Sequence, residues 1–161
     1  MESVYVETSV VSYLVTQPPP DTLAHQWHIW TSDWWRLRRT LFECVMSPEV
    51  LREAAQGDPE MSRRRLAALA TLTVLRRTHA VDELAHAFLA AGPLPAKAQA
   101  DAVHLAVATV YRVDYLATWN LKHLANAMIL LRLRPVAEQR GLRMPIVCTP
   151  LQLMGTIEYE G

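Results

Sequence analysis

Four polar side chains in this sequence could carry hydrolytic chemistry together: Glu7, Glu53, Asp101 and Asn120. Three of them are carboxylates, and two carboxylates about 4 Å apart repel by roughly 4 kcal/mol at an effective dielectric of 20. Gathering several at one point makes physical sense when a divalent cation neutralises them. Carboxylates and an amide, without a cysteine pair, favour Mg²⁺ or Mn²⁺ over structural zinc. Asp101 is the least comfortable residue of the set. It sits in Ala98-Gln-Ala-Asp-Ala-Val-His-Leu-Ala-Val-Ala, where small apolar neighbours imply close helix packing. A carboxylate there is costly unless it is paired, protonated or bound to a cation. His104 follows at i+3 on the same face, so an ordinary Asp–His contact is the competing reading.

The elements that must position these groups can be read from patterning. Val4–Val6 is a short β-branched run, followed by Glu7 in a turn and Ser9 as the N-cap of a helix over Val10–Leu14. After Pro18–Pro20 a second helix runs from Thr22 to about Arg39. Its stripe of Trp27, Trp30 and Trp34, with Ile29 and Leu37, reads as core or as a dimer contact. Leu41–Met46 is a second strand, and Ser47 caps a helix with Pro48 at its first position and Gly57 beyond its end. A basic helix over Met61–Ala70 leads to a third strand at Leu72–Leu75. Asp82 opens a helix that reaches Ala91. After the Gly92–Pro95 break, a longer helix spans about Ala96 to Tyr111. Asp114–Thr118 is a fourth strand, Asn126–Gln139 a helix interrupted near Pro135, and Ile146–Cys148 a fifth strand. Strands alternating with helices predict one α/β domain over 1–161, with a mostly parallel sheet of about five strands. In such a sheet ligands bind beyond the carboxyl ends of the strands. Glu7 and Asn120 follow strands there, and Glu53 and Asp101 lie on helices beside the same crevice.

Composition narrows the classes. The chain has 161 residues, 51% of them hydrophobic, and 16 basic side chains cancel 16 acidic ones. It can bury a core, and net charge alone gives no argument for nucleic-acid binding. Arginine nevertheless outnumbers lysine 14 to 2. Arg36/Arg38/Arg39, Arg63–Arg65, Arg76/Arg77 and Arg132/Arg134 could form a basic rim, or simply solvated helix faces. Cys44 and Cys148 lie in apolar β-rich runs and read as buried hydrophobes. There is no signal-peptide pattern and no apolar stretch near the roughly 20 residues that span a bilayer, so a reducing cytoplasm is the expectation. Gly-rich phosphate loops, a Gly-x-Ser-x-Gly elbow and a His-Glu-x-x-His motif are all missing. His79, His86 and His123 read as surface or capping residues. A metal-dependent phosphatase of another α/β fold lacks its Asp-x-Asp after the first strand.

Several blocks of the chain, in order, resemble the PIN domain, and within it the VapC-like toxins of type II toxin–antitoxin systems. They are Tyr5-Val-Glu-Thr-Ser-Val-Val-Ser-Tyr-Leu, Ser47-Pro-Glu-Val-Leu-Arg-Glu with Gly57-Asp-Pro-Glu, Ala100-Asp-Ala-Val-His-Leu-Ala, Asp114-Tyr-Leu-Ala-Thr-Trp-Asn-Leu-Lys-His and Pro145-Ile-Val-Cys-Thr-Pro. The resemblance implies a Mg²⁺- or Mn²⁺-dependent ribonuclease, a cognate antitoxin protein and a homodimer. By motif, Glu7 takes the first acidic position, Glu53 (with Glu49 as a nearby competitor) the second, Asp101 the most recognisable one, and Asn120 a fourth. Asp101 and Glu7 would hold the metal, Glu53 would handle water or its proton, and Asn120 would orient the site. Lys122 would either meet phosphate or stand exposed without a role. The family more often has Asp at the positions of Glu7 and Asn120. Here one methylene is added, about 1.5 Å of reach, and one charge is removed. A PIN-like protein that binds RNA or a partner without turnover is the alternative.

Overall fold

The computed structural model describes residues 1–155, so residues 156–161, the end of the expected domain, lie outside the described residues. The strands are β1 (Ser3–Val6), β2 (Glu43–Met46), β3 (Thr73–Val74), β4 (Tyr115–Ala117) and β5 (Ile146–Cys148). All pair in parallel in the order β3-β2-β1-β4-β5. The α/β expectation holds. The strands are shorter than the apolar runs that announce them. Leu41 belongs to a 3₁₀ turn over Arg39–Leu41, and only Thr73–Val74 of the third run is strand, with the Leu75 N–H still donating to the Met46 carbonyl.

The helices are α1 (Thr8–Val15), α2 (Leu23–Leu37), α3 (Pro48–Ala54), α4 (Pro59–Leu69), α5 (His79–Ala90), α6 (Gln99–Val110) and α7 (Ala127–Glu138). Three starts differ from the sequence reading, each for a local reason. Glu7, not Ser9, caps α1, because its carboxylate accepts from the Ser9 backbone N–H. Thr78 caps α5 ahead of Asp82, and Asp58 caps α4 with Pro59 at the first position. Ser47 does hold the N-cap position of α3, but its hydroxyl makes no cap bond and turns to Tyr5 instead. No helix among the described residues is long and apolar enough to cross a membrane.

β1 is the central strand, and Val4, Tyr5 and Val6 are completely buried. The chain builds outward from β1 to β2 and β3, then returns to lay β4 on the other side. That reversal puts the topological switch point between β1 and β4, where an open parallel sheet leaves a crevice at its carboxyl edge. Their register continues past the strands, since the Glu7 N–H donates to the Ala117 carbonyl at 3.1 Å. Glu7 and the Thr118–Asn120 turn therefore emerge side by side. α6 is buried from Ala102 to Thr109, which explains its alanines and valines. Cys44 and Cys148 are free thiols that burial pushes up to about 11 and about 12, so they act as small hydrophobes.

An aromatic belt locks the turn after β4. Trp119 is buried, and Trp27 stacks on it at 4.9 Å between centroids, with Trp30 at 6.3 Å. The Trp119 indole N–H donates to Thr31 Oγ1 at 2.7 Å. Thus only Trp34 of the tryptophan stripe is fully buried core, while Trp27 and Trp30 back the Trp119 turn. Thr31→Val leaves the buried indole N–H without its acceptor. The expected loss is about 1–3 kcal/mol of unfolding free energy, measured by urea denaturation; an unchanged midpoint would show that the bond does not hold the turn.

Candidate active site

The carboxyl edge of β1 carries Glu7, which is 5% exposed. Its Oε2 accepts from the Ser9 backbone N–H at 2.9 Å, from the Ser9 hydroxyl, and from Thr118 Oγ1 at 2.9 Å. Glu53 projects from the last turn of α3 and receives Thr8 Oγ1 at 2.7 Å and His104 Nε2 at 2.5 Å, both on Oε1. Glu7, Glu53 and His104 each bring one ligand atom to within 4.8 Å of the others. All the hydrogen bonds to Glu7 and Glu53 among the described residues fall on one oxygen of each. The second oxygens, Glu7 Oε1 and Glu53 Oε2, remain for another ligand.

The competing Asp101–His104 contact does not form: His104 is fully buried and bridges Glu53 and Tyr5. Its Nδ1 lies 2.7 Å from Tyr5 Oη, which in turn lies 2.6 Å from Ser47 Oγ. Burial pushes His104 toward the neutral form, but the hydrogen bond to Glu53 and the charges of Glu7, Glu53 and Asp101 outweigh it and raise its pKa. As an imidazolium it donates from both nitrogens. Tyr5 then accepts from His104 and donates to Ser47; burial holds its phenol well above the usual range, so it stays neutral. This explains why Ser47 leaves the helix cap open. Burial also pushes Glu53 upward, but the His104 bond and charge, with Thr8 and Arg52, bring it below the usual carboxylate range. Glu7 goes the other way. Burial dominates and raises it, even against His104 and the hydrogen bonds from Ser9 and Thr118.

Asp101, in the first turn of α6, takes a different pair of partners: Asn120 Nδ2 at 3.2 Å on Oδ1 and His123 Nδ1 at 3.2 Å on Oδ2. It is not part of the tight Glu7–Glu53–His104 group, but the two are tied together. The Asn120 N–H donates to Thr118 Oγ1, which donates to Glu7. His123, read from sequence as a surface residue, is therefore a partner of the most recognisable carboxylate. Its spacing of three from Asn120 was the available signal, since Asn120 Oδ1 accepts the His123 N–H and folds the turn back on Asp101. Tyr5 left no such signal, because one tyrosine in an apolar strand reads as core. Glu49 does not compete with Glu53, being bound by Arg52 and 4.0 Å from Arg77. Four of the clustered arginines are committed likewise, with Arg36 on Asp33, Arg63 and Arg64 on Glu60, and Arg77 on Asp82.

The donor chemistry fits a hard divalent cation. The free atoms are carboxylate oxygens, no thiolate takes part, and a protonated His104 has no lone pair to offer a metal. Glu7 and Glu53 each have an oxygen available, and Asp101 is linked to Glu7 through Asn120 and Thr118.

No protein-family model and no curated protein sequence matches the chain. Its structure is similar to the crystal structure of Mycobacterium tuberculosis VapC20, a sarcin–ricin loop cleaving toxin. The TM-score is 0.57 at 19% identity, covering 74% of this chain and 92% of that one. The five-stranded parallel sheet and its helices form a VapC-like PIN fold.

His104 binds its proton more tightly in the folded chain. Its contribution to stability is full below the unfolded histidine value of about 6.5 and is lost as pH rises through the raised folded value. In EDTA, the unfolding free energy should therefore fall as pH rises above about 6.5, and His104→Gln should flatten that slope. Urea denaturation across this range checks it; equal slopes in both proteins would contradict a charged His104.

Proposed function

We propose that this chain, with the fold of a VapC-like PIN domain, is a Mg²⁺- or Mn²⁺-dependent ribonuclease and the toxin of a toxin–antitoxin pair. The observation that carries the reading is the convergence of Glu7 and Glu53 around His104 at the β1–β4 switch point, with Asp101 tied in through Asn120 and Thr118. The fold's likeness to an RNA-cleaving toxin supports the same reading. Cytoplasmic action, a cognate antitoxin and a homodimer belong to it.

Glu7 and Asp101 would hold the ion, and Glu53, whose ligand atom lies within 4.8 Å of that of Glu7, would act on its water. Bound there, Mg²⁺ or Mn²⁺ supplies Lewis acidity toward the scissile phosphate and toward water. The residues do the positioning. Ser9 and Thr118 fix Glu7, and Asn120 and His123 fix the two oxygens of Asp101. His104 and Thr8 keep Glu53 ionised and aimed, so that it can orient an attacking water and take its proton. Asn120 contributes no negative charge, and His104 contributes a positive one, so the pocket repels a phosphodiester less than an all-carboxylate set. Lys122 is exposed in the turn after β4 and has no ion-pair partner among the described residues, which suits contact with the RNA backbone.

Purified free of antitoxin, the protein should cleave single-stranded RNA with Mn²⁺ or Mg²⁺ and stop when EDTA is added. Asp101→Ala should lower the rate by about 10²-fold or more while circular dichroism stays unchanged. Cleavage that persists in EDTA, or at the wild-type rate in Asp101→Ala, would contradict the mechanism.

A further inference from the structure

A groove of about 580 Å³ runs beside α1, between the start of α2 and the turn that joins α3 to α4. Its lining includes Ser12, Tyr13, Gln56, Asp58, Met61 and Arg65. The elements that wall it are those that carry the carboxylate pocket. Ser12 stands one turn along α1 from Thr8, whose hydroxyl holds Glu53. Gln56 stands just past the end of α3, three residues beyond Glu53. A ligand centred on the pocket therefore reaches the groove without leaving α1 and α3.

The lining chemistry selects which part of an RNA chain fits. Arg65 is the one cation among the described lining residues, and its guanidinium is committed to the Ala54 and Gln56 carbonyls. Asp58 lines the same groove, so its carboxylate disfavours a phosphate there. A flat ring with a polar edge fits better. Tyr13 lines the groove with an aromatic ring, which packs T-shaped against Trp27 at 5.2 Å and Trp119 at 6.5 Å between centroids. Met61 adds a soft apolar contact. Gln56 is exposed, and its amide offers both a donor and an acceptor. Asp58 caps α4 through Oδ2, so Oδ1 can accept from an exocyclic amine.

We propose that this groove is a nucleobase subsite. The base of the nucleotide beside the scissile phosphate stacks on Tyr13, and Gln56 and Asp58 read its polar edge. The subsite rests on the ribonuclease reading above and deepens it, because it makes Tyr13 and Gln56 determinants of where the RNA is cut. The preformed Tyr13–Trp27–Trp119 contacts reduce the ordering that binding would otherwise require.

The test separates binding from cleavage. Affinity for a labelled single-stranded RNA of mixed sequence is measured in EDTA, and cut sites are mapped separately with Mn²⁺. Tyr13→Leu should weaken binding roughly tenfold, and Tyr13→Phe, which keeps the ring, should restore it. An RNA abasic at the nucleotide flanking the mapped cut should bind wild type and Tyr13→Leu equally. Gln56→Ala, at an exposed position, should shift the choice of cut site. If Tyr13→Leu binds RNA like wild type and cuts the same bonds, the subsite is overturned while the ribonuclease reading stands. If Tyr13→Leu loses as much affinity on the abasic RNA, stacking is overturned. If the wild type cuts no RNA with Mn²⁺, the ribonuclease reading falls and the subsite falls with it.

Discussion

Crowding of carboxylates at one edge of a parallel sheet is the constraint around which this fold is arranged. Glu7 and Glu53 bring ligand atoms within 4.8 Å of His104, and Asp101 lies close enough to raise the same imidazole. Without a counter-charge, such a group would be forced to protonate or move apart. His104, fully buried, bound at both nitrogens and with its pKa raised by these carboxylates, is placed to supply that charge from inside the protein. Much of the surrounding polar architecture follows from it. Tyr5 must be a phenol to accept from Nδ1, Ser47 must face Tyr5 rather than cap its helix, and Thr8 must share Glu53 Oε1. A bound cation would add a second counter-charge beside the carboxylates, so metal and imidazolium act on the same electrostatic problem.

The sheet order gives this cluster its place. Because the strand order reverses at β1, the carboxyl ends of β1 and β4 open side by side, joined by hydrogen bonds from Thr118 to Glu7 and from Trp119 to Ser9. Packing then fixes the turn that leaves β4. Trp119 is held between the α2 tryptophans and Thr31, its N–H reaches Ser9 Oγ, and Asn120 follows with a fixed orientation toward Asp101. The aromatic stripe on α2 thus bears on function through packing, by holding a turn that would otherwise be a mobile loop.

Much of this was legible in the sequence, because strands alternating with helices leave periodic apolar runs and because a carboxylate in an alanine-rich helix is conspicuous. Asp101 announced itself in that way, and Glu7 and Asn120 by following strands. What could not be read was direction. A residue at i+3 shares a helix face, but a buried helix such as α6 has neighbours on several sides, and His104 chose Tyr5 and Glu53 over Asp101. The cap of α1 was misread for a related reason. Serine is the commoner cap, yet Glu7 already stood where its carboxylate could take the Ser9 N–H. Tyr5 and His123 owe their roles to partners 99 and 22 residues away, which no local pattern encodes.

On this account the carboxylates at the β1–β4 edge hold a divalent ion while His104 stays outside its coordination shell. Crystals soaked in Mn²⁺ and measured near the manganese absorption edge would show where the ion sits. The expected result is an anomalous peak within about 2–2.5 Å of oxygens from Glu7 and Asp101, with His104 still bonded to Tyr5 and Glu53. A peak coordinated by His104, or no peak at that edge of the sheet, would contradict it.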